Sequence, residues 1–300
     1  MQIKDLLPAL HAADPRALAR CITIVENELE GNQEILQHLQ IRSEVPVIGL
    51  TGPPGAGKSS LVDALVSALL LQGKRIGVIA VDPSSPFHFG ALLGDRIRLA
   101  THFLHDRVFI RSMATRGSLG GLSDKIMEVT DVMRSAGFDY IFIETVGVGQ
   151  SEVEIAGLAD TTIVVLVPES GDEVQGMKSG LMEIANIFVV NKSDRDEAHA
   201  FARQLRHMVL ERFPEAGQPP VLQTTATRQE GVAELLQSIH THHQQLQDSP
   251  RRFRLLTEKA LRLIARQRIR DIDPAQLLEK VSIESGRAGF NIYSFIRQYE

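Results

Sequence analysis

Seven short apolar runs constrain this chain more than any other feature. They lie at 45–50, 75–81, 108–113, 140–143, 162–167, 187–190 and 221–223, and they are rich in Val and Ile. They show little polar alternation, as strands covered on both faces do. Longer helical stretches separate several of them, for example 59–71 and 122–136. Strands alternating with helices read as βαβ units. The pattern therefore predicts an α/β fold with a mostly parallel central sheet flanked by helices.

Both ends read differently. In 1–43, Asp14-Pro15 offers a capping acceptor followed by proline in the first turn. Leu18, Cys21, Ile22, Val25 and Leu29 then recur at helical spacing. Gly31-Asn32 breaks the pattern, and Ile35, Leu36 and Leu39 suggest a second short helix. In 248–300, Leu255, Leu256, Leu261, Leu263 and Ile264 lie amid Arg and Lys and predict a long helix, and Asp273-Pro274 opens another. The expected organisation is an N-terminal helical extension at 1–43, a core domain at 44–247 and a C-terminal helical arm at 248–300.

Composition narrows the chemistry. The chain has 300 residues and one cysteine, Cys21. A single cysteine excludes an intramolecular disulfide and a cysteine-based metal set, and on the apolar stripe it reads as a buried small hydrophobe. Lys plus Arg number 32 against 37 Asp plus Glu, a net charge of −5. A dedicated nucleic-acid binder carries a basic excess instead, and Arg251, Arg252 and Arg254, followed by Glu258, read as a solvated helix face. No apolar run reaches the ~18 residues of a membrane span. Met1 to Leu10, with Lys4 and Asp5 together, does not read as a signal peptide. The expectation is a reducing compartment: bacterial cytoplasm or, in a eukaryote, the mitochondrial matrix. Neither nucleic acid nor membrane is an expected partner.

Gly52-Pro53-Pro54-Gly55-Ala56-Gly57-Lys58-Ser59 matches G-x-x-x-x-G-K-[ST], followed by Ser60. It follows one predicted strand and precedes one predicted helix, the context the motif requires. Small residues let successive backbone N–H groups wrap phosphate oxygens, and the helix N-terminus adds a favourable dipole. Lys58 is expected to reach the β- and γ-phosphates and the Ser59 hydroxyl to bind Mg²⁺.

Asn191-Lys192-Ser193-Asp194 follows the run 187–190 and fits the N-K-x-D pattern of guanine-specific proteins. Asp194 can accept from guanine N1–H and N2–H₂ together, a pair that adenine lacks. Asn191 is expected to tie loops together, and the Lys192 stem to cover the base. Thr224-Thr225-Ala226, after the last run, supplies a second base loop through Thr225 and Ala226. Glu144, at the end of the run 140–143, Asp82, at the end of 75–81, and Asp95 are the candidate metal carboxylates. Gly147 lets the chain approach a γ-phosphate.

These residues belong to a larger series: 49–59, Val81-Asp82-Pro83-Ser84-Ser85-Pro86, Leu93-Gly94-Asp95-Arg96-Ile97-Arg98, Arg116-Gly117-Ser118-Leu119-Gly120-Gly121, 143–152, 171–178 and Asn191-Lys192-Ser193-Asp194. Together they resemble the MeaB/ArgK family, the GTPase chaperones of adenosylcobalamin-dependent acyl-CoA mutases, which includes the methylmalonic aciduria type A protein. The resemblance implies a P-loop NTPase fold, GTP or GDP with Mg²⁺ as cofactors, and a C-terminal dimerisation arm giving a homodimer. It implies a B12-dependent mutase, commonly methylmalonyl-CoA mutase, as partner, with GTP switching cofactor loading and protection. Metal and switch roles then fall on Ser59, Asp82, Asp95 and Glu144, and the loop 171–178 becomes a further switch whose Lys178 responds to the mutase. One departure stands out: Phe87-His88-Phe89-Gly90 follows Pro86 where the family carries small residues.

No glutamine directly follows the switch glycine; Val148 does, and Gln150 comes later. Slow intrinsic hydrolysis, accelerated by a partner, is expected. Lys58, Glu144 and Lys178 are the expected catalytic groups, with Arg98 a further charge stabiliser. Two other readings stay open. A nickel-inserting GTPase needs Cys and His clusters, and only His240, His242 and His243 are dense here, with His102 and His105 a looser pair; on a C-terminal helix the three read as a polar face. A small-molecule kinase needs an acceptor pocket with a base, and none stands out.

Overall fold

The computed structural model describes residues 3–82, 99–114, 123, 125–145, 154–170, 179–213, 218–247, 250–286 and 290–299. Seven parallel strands form one sheet: β1 Val47–Thr51, β2 Ile76–Asp82, β3 Val108–Ala114, β4 Tyr140–Glu144, β5 Thr161–Leu166, β6 Ile187–Val190 and β7 Val221–Gln223. Each falls on one of the seven apolar runs. Their order across the sheet is β3-β2-β4-β1-β5-β6-β7. β1 therefore sits in the middle, and all five of its residues are buried.

Consecutive strand residues face opposite ways, which sorts the core into layers. Val47, Ile79, Val81, Ile141 and Ile143 join one cluster with Leu18, Cys21, Ile22 and Val25. Ile48, Leu50, Val78, Phe142, Ile163 and Val165 join the opposite one. The first layer is covered by α1 Ile3–His11, α2 Pro15–Glu26, α3 Asn32–Gln37 and, later in the chain, α5 Ile126–Arg134; the second is covered by α4 Lys58–Leu71 and α8 Val232–Gln247. A third cluster packs Val164, Leu166, Phe188 and Val190 against α6 Ser179–Ile184 and α7 Ala198–Arg212.

The N-terminal helices start where capping chemistry places them. Asp14 Oδ1 accepts from Ala17 N at 2.7 Å, with Pro15 in the first turn of α2. The apolar stripe ends earlier than its spacing suggests: Leu29 is exposed, because α2 stops at Glu26 and the chain turns through Glu28, whose φ is 51°. Arg111 of β3 pairs with Glu26 of α2, and Lys125 pairs with Glu28. The extension thus shares both core and ion pairs with the sheet.

Contacts divide the chain into two units, Met1–Arg252 and Phe253–Glu300. In the second, most of α9 Pro250–Arg268 is followed by α10 Pro274–Ser285 and α11 Ile292–Ile296. Asp273 Oδ1 caps α10 by accepting from Ala275 N at 2.8 Å. Asn291 Oδ1 caps α11, and the rings of Phe290, Phe295 and Tyr299 stand 6.0 Å apart in succession.

The three close histidines, expected as a polar face, differ in their surroundings. His240 is exposed, but His242 Nδ1 lies 2.8 Å from Thr161 Oγ1, and His243 is buried with Nε2 3.2 Å from Glu44 O. The cause is geometric: α8 lies on β5, so positions 100° apart reach the sheet, its rim and solvent in turn.

Candidate guanine-nucleotide site

The sheet register assembles the site at one edge. Leu50 of β1 pairs with Glu144 of β4, and Ala80 of β2 pairs with that same glutamate. Asp82 lies two residues further along β2. Leu166 pairs with Val190, and Val190 with Gln223. The 52–57 loop, Glu144, Asn191 and Thr224 thus all emerge from the carboxyl ends of parallel strands, where open α/β sheets bind their ligands.

Gly52 and Gly57 are required where they stand. Gly52 has φ 136°, and a Cβ there would lie 2.1 Å from Val165 O. Gly57 has φ 85°, and its Cβ would lie 2.4 Å from Asn191 Nδ2. Gly57 is also the N-cap of α4 and places no side chain over the helix amides. Those N–H groups, with the positive end of the helix dipole, face the loop. Ala56 is fully buried beneath it, while Pro54, Gly55 and Ser60 are exposed and Pro53 half-buried.

Lys58 is buried, and its Nζ donates to Gly52 O at 2.8 Å and Pro53 O at 3.0 Å. The ammonium is therefore inside the loop's curl. Ser59 Oγ donates to Glu144 Oε1 at 2.5 Å, and both residues are buried. This joins the first turn of α4 to the end of β4. Thr145 completes the seam: its hydroxyl bonds Thr51 Oγ1 at 3.2 Å and Leu50 O at 3.3 Å.

Asn191 joins three loops. Its Nδ2 donates to Ala56 O at 3.0 Å, and its Oδ1 accepts from Thr224 Oγ1 at 3.1 Å and Ala226 N at 3.3 Å. Lys192 adopts φ 56° and reaches back so that its Nζ donates to Gly55 O at 2.7 Å. Its stem consequently bridges from the 191–194 loop to the phosphate loop. Asp194 is about a third exposed and lies 3.4 Å from Arg228 Nη2. Thr225 is buried; its N–H goes to Glu230 O at 3.1 Å, which closes the second loop.

The structure brings together Lys58, Ser59 and Glu144 on one side, and Asn191, Lys192, Asp194, Thr225 and Ala226 on the other. The side chain of Asp82 lies outside the described residues, as do Asp95, Arg98, Gly147, Lys178 and the 87–90 segment. Arg228 carries no motif and was not legible in the sequence; Thr145 lies in the 143–152 series, but no role was expected of it. Among the described residues no group of three or more His, Cys, Asp or Glu is placed to hold a metal ion. No helix among them is long and apolar enough to cross a membrane.

A parallel sheet with a Walker loop on its central strand, and an N-K-x-D loop two strands away, defines a P-loop GTPase. The comparisons with known proteins narrow this. The family model for the methylmalonyl-CoA mutase-associated GTPase MeaB matches residues 18–287. The chain belongs to that family. It is 47% identical over 254 residues to a Pyrococcus abyssi chain named as a GTPase, covering 83% of this chain and 78% of that one. It is 36% identical over 249 residues to the Escherichia coli GTPase ArgK, covering 79% and 75% respectively. Among solved structures, the crystal structure of an LAO/AO transport system kinase superposes with a TM-score of 0.70 at 26% identity, covering 99% of this chain and 95% of that one.

Proposed function

We propose that the protein is a GTP-hydrolysing switch chaperone that gates adenosylcobalamin loading onto a B12-dependent acyl-CoA mutase, such as methylmalonyl-CoA mutase, and its protection and reactivation. The observation that carries this reading is Asn191, whose amide joins the phosphate loop to both base loops within a chain of a mutase-associated GTPase family. A change at the phosphates can thereby be felt at the base, and the reverse.

The residues take these roles. Backbone amides of 52–60 bind the phosphates, with Lys58 turning from its two carbonyls to the β- and γ-phosphates. Asp194 accepts from the guanine edge, Lys192 covers its face, and Thr225 and Ala226 frame the pocket. The paired oxygens of Ser59 and Glu144 are hard donors and fit Mg²⁺; Asp82 and Asp95 would hold it with them. The chemistry Mg²⁺ would supply there is neutralisation of the charge that develops on the β- and γ-phosphates. Gly147 lets the chain approach the γ-phosphate, and Lys178 belongs to the further switch, 171–178, that responds to the mutase. The arm at 248–300 makes the homodimer, supported by the exposed apolar residues Phe253, Leu256 and Ile264. The working compartment is the bacterial cytoplasm or the mitochondrial matrix.

The test is a pull-down with the full-length protein, with and without a non-hydrolysable GTP analogue. Nucleotide-dependent recovery of a B12-dependent mutase is the expected result. A protein that retains no such mutase in either state, and that phosphorylates a small molecule or binds nickel instead, overturns the proposal.

A further inference from the structure

We infer that Arg228 is a specificity-determining residue, holding the Asp194 carboxylate in the orientation that discriminates guanine. The inference rests on the base-site reading given above and extends it to a residue outside the recognised motifs.

Asp194 stands on a solvent-facing loop and is about a third exposed. A carboxylate there swings freely unless something restrains it, and discrimination of the guanine edge depends on holding two acceptors in one plane. Two cations close to it in sequence are committed elsewhere. Lys192 Nζ donates to Gly55 O, and Arg195 pairs with Glu169. Arg228 comes from the second base loop, with Nη2 3.4 Å from Asp194 Oδ2.

The loop that carries Arg228 is firmly built. Its N–H donates to Thr225 O at 2.9 Å, Gln229 takes a left-handed conformation at φ 61°, and Thr225 and Glu230 bridge as an antiparallel pair. Gly231 follows, where a Cβ would lie 2.1 Å from Gln223 O. The arginine side chain is 60% exposed, but its backbone is held in a fixed turn, which removes part of the entropy that ordinarily cancels an exposed ion pair. The contact is compatible with base binding. Each carboxylate oxygen has two lone pairs, so Oδ2 can take the guanidinium from the side and guanine from the front. Arg228 touches no reacting atom in this scheme and acts through Asp194.

The test compares Arg228→Ala, Arg228→Lys and Asp194→Asn by direct binding of GTP and ITP, whose base lacks the 2-amino group. Arg228→Ala is expected to weaken GTP binding about three- to tenfold, the scale of one ordered ion pair. ITP binding should weaken less, so that the GTP/ITP ratio falls, and Arg228→Lys should restore part of the ratio. A merely structural role would weaken both nucleotides equally; that result, or unchanged GTP binding, overturns the inference while Asp194→Asn still weakens GTP. If Asp194→Asn leaves GTP binding intact, the base-site reading itself fails and the inference with it.

Discussion

Ser59 Oγ and Glu144 Oε1 lie 2.5 Å apart, although 85 residues separate them in the chain. The contact exists because β1 and β4 are neighbours in register, Leu50 beside Glu144. It places a hydroxyl and a carboxylate together below the phosphate loop. Replacing Glu144 by Gln should keep the hydrogen bond but remove the charge. We expect GTP hydrolysis to fall at least tenfold and its Mg²⁺ requirement to rise, read from phosphate release across a Mg²⁺ titration. An unchanged Mg²⁺ midpoint would remove Glu144 from the metal shell.

Asn191→Ala should damage stability and nucleotide binding together. The substitution leaves the buried Thr224 hydroxyl and the Ala226 N–H without their shared acceptor. Loss of such a buried network costs about 2–3 kcal/mol. Urea unfolding should show that loss, and GTP affinity should fall in parallel. A variant with native stability and native affinity would mean the three loops are held by other contacts.

Gly57→Ala tests the loop's close approach. A left-handed backbone costs an L-residue roughly 1–2 kcal/mol, and the new methyl would press on Asn191 Nδ2 at 2.4 Å. The expected result is a folded protein with GTP binding weakened well beyond tenfold. Calorimetric titration reads the affinity and circular dichroism reads the fold; wild-type affinity would refute the packing argument.

His243 gives stability a pH dependence. Burial lowers its pKa from the ordinary value, opposed by Asp160 and the Glu44 carbonyl and aided by Arg134 and His240. The unfolded chain therefore takes up a proton, near pH ~6.5, before the folded one does. The contribution is complete above that pH and is lost as pH falls below it. Unfolding free energy measured by urea at pH 7.5 and 5.5 should drop, and His243→Gln should reduce the drop. Equal drops in both proteins would assign the effect to other groups.

Lys58→Ala should abolish hydrolysis and leave the fold intact, since the Nζ bonds to Gly52 O and Pro53 O brace the loop itself and the sheet and its layers are built from other residues. Phosphate release with GTP, alongside circular dichroism, decides it. Surviving hydrolysis would mean the phosphate loop is misassigned.

The strands were legible because a buried parallel strand has only one way to look in sequence: short, branched and apolar. Val47 and Ile48 face opposite clusters yet are equally apolar. The Asp14 and Asp273 caps were legible for a similar reason, a short acceptor before proline. Leu29 misled because periodicity does not mark where a helix stops. His243 misled because α8 turns it against Glu44, a contact 199 residues away. Arg228 could not be found at all, since an arginine past a turn looks the same whether it meets solvent or Asp194. A long-range bond between loops is legible when a motif residue makes it, as Asn191 does, and leaves no local mark when none does.

The position of β1 has a consequence for how the site can open. Its residues are fully enclosed, with β4 and β5 bonded on either side. Amide hydrogens of such a strand exchange with solvent only when the whole unit comes apart. The root of the phosphate loop is therefore slow to exchange and shares the lifetime of the native state. For the proposed nucleotide site, this means that entry and exit would leave that root in place, with the adjustment falling on Lys58 and Lys192.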